Sequence, residues 1–181
     1  MSDNKKQDKL IEDLISDLQS KDNKILTSAL KRVRSKGTEA VLPSLFHLID
    51  GDYPLSISEE AKNIILELKS TAAIPFLLEI LAGSNSAHRE LALSAFWHSS
   101  FNAKEYIDKF VTVAIKGSYM EALEAYTVID NLDGPFDEVV IIEAQLLLKK
   151  YFSEHKEKSD KHDLLLSILA TLDRFEKLVM D

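Results

Sequence analysis

A recurrence of proline and apolar residues at a fixed interval constrains this chain more than any other feature. Pro43, in VLPSLFHLI, and Pro75, in AIPFLLEIL, stand 32 positions apart (75 − 43). The same step in both directions places Leu10, Leu42, Ile74 and Tyr106 on one rung. Leu14, Phe46, Leu78, Phe110 and Ile142 fall on the next, four residues later. Every member is apolar, as the buried stripe of stacked helices requires. A second series, Ala29, Ala61, Ala92 and Ala122, runs through the alternate helices at intervals of 32, 31 and 30. Small residues there let two helices approach closely. A period of this length is the signature of a helical repeat array. The clearest unit runs from Ala61 to Gly83, with a corner at Ser70-Thr71 between two helices.

Composition agrees. Only 5 glycines and 4 prolines occur in 181 residues, too few for the many turns of a sandwich or barrel. Apolar residues at 45% and charged residues at 29% suit a single soluble domain over residues 1–181, long enough to bury a core. The absence of cysteine excludes disulfides, thiolate metal sites and cysteine nucleophiles. The start, MSDNKKQDKL, has no apolar signal region, and no apolar run approaches the roughly 18 residues of a membrane span. A cytoplasmic protein is expected.

Ten helices are expected, in five antiparallel pairs. Residues 1–6 fray. Helices then run over 7–19, 23–35 (Ile25, Ala29 and Val33 inward, stopped by Gly37) and 39–49. The next follows a cap at Ser56 or Ser58, with Glu59 and Glu60 in its first turn. The remainder are expected over 72–82, 87–99, 103–116, 119–132, 137–153 and 163–180. The ninth is apolar almost all round, which implies burial from several sides. The tenth is amphipathic through Leu165, Ile168, Leu169, Leu172, Phe175 and Val179. Residues 137–181 thus form a longer C-terminal pair that caps the array.

With Pro43 and Pro75 near the start of first helices, and AHRELALSAF (Ala87 to Phe96) in a second helix, the chain resembles HEAT repeats of the armadillo-type α-superhelix. The resemblance covers roughly residues 5–152. Ile107 and Val139 stand where the proline would recur, and Arg89 alone fills the arginine slot. It implies an all-α, α-α superhelical solenoid, a fold that serves many functions.

Residues suited to chemistry are few. His47, His88, His98, His155 and His162 form no His-x-x-x-His or His-Glu-x-x-His pair. His155 and His162 near Asp163 read as solvated linker residues rather than metal ligands. His98 beside Ser99 and Ser100 lacks a recognisable orienting carboxylate. Glu59-Glu60 and Asp137-Glu138 suit helix starts, and Asp130 to Gly134 suits a turn better than a calcium loop. No phosphate loop or nucleophile elbow occurs. No catalytic residue, metal or cofactor is expected.

Charge is distributed unevenly around a net −8. Lys31, Arg32, Arg34 and Lys36 cluster early, whereas residues 117–148 carry seven acidic residues and no lysine or arginine. Aligned on the alanine series, Lys31, Asn63, Ser94 and Glu124 share one row of the concave face. Arg34, Leu66, Trp97 and Thr127 share another, with Glu67 and His98 nearby. That face suits a protein or peptide partner anchored on Trp97. The expected function is a non-enzymatic binding scaffold, monomeric or weakly dimeric through Val139 to Phe152. The alternative is a HEAT-like nucleic-acid enzyme of the alkylpurine DNA glycosylase type. The acidic second half disfavours it, because duplex binding needs cations along the whole arc.

Overall fold

The computed structural model describes residues 2–99, 101–155 and 159–180. Among them the fold is all-helical. The helices are α1 (Ser2–Leu18), α2 (Asn23–Lys36), α3 (Leu42–Asp50), α4 (Leu55–Leu66), α5 (Ile74–Ala82), α6 (Ser86–His98), α7 (Ile107–Lys116), α8 (Tyr119–Asp130), α9 (Glu138–Glu154) and α10 (His162–Met180). Single 3-10 turns (Glu39–Val41, Thr71–Ala73 and Lys104–Tyr106) lead into α3, α5 and α7. No described helix is long and apolar enough to cross a membrane.

Two compact units are distinguished, Met1–Phe76 and Leu77–Asp181. In the first, α1 packs on α2 and α3, and α4 packs on α2 and α3. Leu14, Leu18, Leu26, Ala29, Leu42, Leu45, Ala61 and Ile65 are fully buried there. In the second, α8 contacts α6, α7 and α10, and α9 contacts α7 and α10. Its core includes Ala92, Phe96, Phe110, Ala122, Ile141, Leu148, Leu165 and Leu172. All four alanines of the second series have no exposed surface.

Side-chain caps mark the starts of α2, α6, α8 and α9. Asp22 accepts from the Lys24 N–H (2.8 Å), Asn85 from His88 (3.2 Å) and Asp137 from Val139 (2.8 Å). Ser118 and Glu121 form a reciprocal capping box at α8.

Several local expectations differ from the structure. Helix α1 begins at Ser2, five residues before the expected start. Helix α4 begins directly after Pro54, so neither Ser56 nor Ser58 is its cap, and Ser58 donates back to the Leu55 carbonyl (3.0 Å). Glu59 and Glu60 consequently lie beyond its first turn. Ile25 is exposed, because Leu26, Ala29, Leu30 and Val33 already complete the i, i+3, i+4, i+7 stripe of α2.

Helix α9 differs most. Its buried residues are Ile141, Ala144, Gln145 and Leu148, whereas Val139, Ile142, Leu146 and Leu147 are exposed. Within its unit α7 and α10 cover one side of α9, so its all-round apolar character does not translate into burial from several sides. At 17 and 19 residues, α9 and α10 are longer than α2 to α8.

Candidate functional site

The most organised exposed group in the second unit is built by α6 and α8. Ala92, Leu93, Ala95 and Phe96 turn the inner face of α6 into the core. Ser94, Trp97 and His98, at i, i+3 and i+4, are left on the outer face. On α8, burial of Ala122, Ala125, Val128 and Ile129 turns Glu124 outward. One carboxylate oxygen, Glu124 Oε2, accepts from both Ser94 Oγ (2.9 Å) and Trp97 Nε1 (3.1 Å). His98 Nδ1 lies 2.9 Å from the Ser94 carbonyl oxygen, and its ring is centred 3.8 Å from that of Trp97. Trp97, 38% exposed, is therefore an oriented surface indole rather than a core residue.

Beside it opens a recess of about 160 Å³. Phe96, Phe101, Val128 and Leu132, all nearly buried, form its apolar lining, and Asn102, Asn131 and Asp133 are exposed around it. The Asn131 amide nitrogen donates to the Thr127 carbonyl (2.8 Å).

Of the residues singled out from sequence in this unit, the structure thus brings together Ser94, Trp97, His98 and Glu124. Thr127 does not join them, since its hydroxyl donates to Leu123 O of its own helix (2.9 Å). In the first unit Arg34 reaches Glu60 (3.4 Å) and Glu67 (3.5 Å), while Lys31 and Asn63 are exposed. Such exposed ion pairs contribute about 0–1 kcal/mol and do little to fix a site. A larger recess of about 260 Å³ lies there, lined by Val33, Leu45, Leu68 and the paired Arg34 and Glu67.

The two linker histidines and Asp130 have structural partners. His155 stacks on Tyr151 and contacts its carbonyl oxygen (3.0 Å), and His162 meets the edge of Phe152. Asp130 accepts from Arg174 (2.9 Å) and Thr171 (3.3 Å). Among the described residues no three histidine, aspartate or glutamate side chains are arranged to hold a metal ion. Ser100 lies outside the described residues.

Beneath this face are buried polar groups that the repeat pattern alone does not single out. Glu121, 1% exposed, accepts from the Arg89 guanidinium, Ser86 Oγ (2.7 Å) and the Ser118 N–H (2.7 Å). Burial alone would raise its pKa. The Arg89 hydrogen bond, the Ser118 and Ser86 donors and the Arg89 charge together outweigh it and lower the pKa to about 2. Arg89 also donates to the Gly83 carbonyl (2.7 Å), tying the turn before α6 to the start of α8. A Cβ on Gly117 would come within 2.7–2.8 Å of Glu121, so only glycine allows that side chain to fold back. Lys161 is largely buried, its Nζ donating to the Ile115 (2.7 Å) and Gly117 carbonyls. Burial lowers its pKa against the opposing charges of Asp160 and Glu121. One signal in the sequence could have found Glu121: the Ser-x-x-Glu spacing from Ser118.

Comparison of the chain with family models, with curated proteins and with solved structures found no match in any of the three.

Proposed function

We propose that this chain is a non-enzymatic scaffold of the α-α superhelical, HEAT-like type, built of paired helices. In this reading it acts in the cytoplasm and binds a protein or peptide through the face formed by α6 and α8. The orientation of Trp97 carries the reading: a half-exposed indole, held by a carboxylate that also holds Ser94, presents a large apolar surface in a fixed pose. Interfaces favour such residues because they bury much area for little lost freedom. Helix neighbours support the architecture. Within the units, consecutive helices pack (α1 on α2, α3 on α4, α7 on α8), and so do alternate ones (α1 on α3, α2 on α4, α6 on α8, α7 on α9). That is the neighbour pattern expected of stacked helical hairpins. A protein partner suits the face better than nucleic acid, because residues 117–148 offer carboxylates and no cation to meet phosphates.

Parallel affinity capture from the native organism with wild-type chain and Trp97→Ala tests the reading. The substitution is expected to leave the helical circular dichroism and thermal midpoint nearly unchanged and to remove the principal captured protein. Retention of that protein by the variant, or unfolding of the variant, would remove Trp97 from the site.

A further inference from the structure

We infer that the recess beside Trp97 receives an arginine or lysine side chain from a basic segment of the protein partner. The inference rests on the binding role proposed above and names the chemistry of the partner. The recess has two parts of opposite character. Four of its lining residues, Phe96, Phe101, Val128 and Leu132, are apolar and nearly closed to solvent, each 7% exposed or less, so the surface the recess offers is mostly polar. Its exposed polar residues offer acceptors. Asn131 commits its amide nitrogen to Thr127 O, which leaves its side-chain oxygen as the acceptor. Asp133, exposed beside it, makes no ion pair or hydrogen bond among the described residues.

Acidic side chains predominate beside it, with Arg174 paired to Asp130. Glu124, Asp130 and Asp133 lie in a stretch, residues 117–148, that contains no lysine or arginine. Glu124 is hydrogen-bonded to the Trp97 indole and the Ser94 hydroxyl and Asp130 is paired with Arg174, whereas Asp133 has neither a donor nor a cation among the described residues. A basic side chain matches both parts. Its methylene stem covers the apolar lining while its head meets Asp133, the Asn131 oxygen and the face of the indole. A purely apolar side chain would cover Asp133 without supplying a donor, and a carboxylate would be repelled. Charge complementarity therefore selects a basic peptide among protein partners.

Trp97 is the only tryptophan in the chain, so its indole N–H resonance and its fluorescence report on this recess alone. The full chain is titrated at pH 8 with three acetylated, amidated peptides: Gly-Arg-Gly-Arg-Gly, Gly-Leu-Gly-Leu-Gly and Gly-Glu-Gly-Glu-Gly. The arginine peptide is expected to move the Trp97 signals saturably, and more weakly as salt rises. The other two are expected to leave them in place. Asp133→Asn, at an exposed position, is expected to weaken the arginine peptide by about two- to fivefold, with the spectrum of the free protein unchanged. Saturable shifts with the leucine peptide, equal in Asp133→Asn, would overturn the basic occupant while leaving Trp97 as a binding site. Failure of all three peptides to move the Trp97 signals would overturn the occupant. If the partner obtained by affinity capture also leaves those signals unmoved, the binding face falls with it.

Discussion

Replacing Glu121 by glutamine should abolish a specific part of the acid sensitivity of this fold. In the native state the carboxyl titrates at about 2, held down by Arg89, Ser118 and Ser86 against the opposing effect of burial, whereas its ordinary value is 4.5. A group whose pKa is lower in the folded chain stabilises above the unfolded value and loses that contribution as pH falls through the native one. A difference of about 2.5 units at roughly 1.36 kcal/mol each is about 3 kcal/mol, fully present above pH 5 and lost toward pH 2. Glutamine can still accept from Ser118 and Ser86 through its carbonyl oxygen, but it turns a donor toward Arg89 and carries no titratable proton. Urea unfolding, followed by circular dichroism from pH 2 to pH 7, should show the wild type gaining about 3 kcal/mol over Glu121→Gln across the acid range. With a slope of roughly 2 kcal/mol per molar urea, the midpoints diverge by roughly 1.5 M. A difference between the two proteins that stays constant with pH would refute the assignment of this charge pair to the native fold.

Three further outcomes follow from the packing. Gly117→Ala drives a methyl group into the Cβ and carboxylate of Glu121 and should cost about 1–3 kcal/mol by urea unfolding. Ala92→Leu overfills a site with no exposed surface and should lower stability by about 1–3 kcal/mol in the same measurement, with loss of thermal cooperativity. Leu146→Lys, at a position 58% exposed, should change stability by less than about 0.5 kcal/mol despite its apolar surroundings in the sequence.

The alanine series shows which parts of the fold a sequence carries openly. Ala29, Ala61, Ala92 and Ala122 are all fully buried, because a small residue repeated at one helical phase marks the line along which helices touch. Leu14, Phe46 and Phe110 of the other series are buried as well, but Leu78 is half-buried and Ile142 is 37% exposed. The same apolar pattern arises whether or not a neighbour covers a helix, so α9 reads as buried when half of it is open. Of the site, the row containing Ser94 and Glu124 was legible, since the register of the alanines brings those side chains to one place. The bond from Trp97 to Glu124 was not, because it depends on how far a rotated indole reaches between helices. The Arg89–Glu121 pair was hidden for a different reason: two charged residues on different helices look the same in sequence whether they meet in solvent or in the core.

One buried amide has a consequence for how this chain tolerates substitution. Gln145, 3% exposed on α9, directs its side-chain nitrogen at Asp173 Oδ1 (3.0 Å) and Glu176 Oε2 (2.9 Å) on α10. Both carboxylates only accept, so the contact depends on an NH₂ group. Exchange of that group for oxygen, whether by deamidation or by the single-base change from a glutamine to a glutamate codon, would turn one donor between two acids into a third acid. That polar contact between α9 and α10 would then turn from attraction to repulsion at a position where the side chain keeps its size and shape.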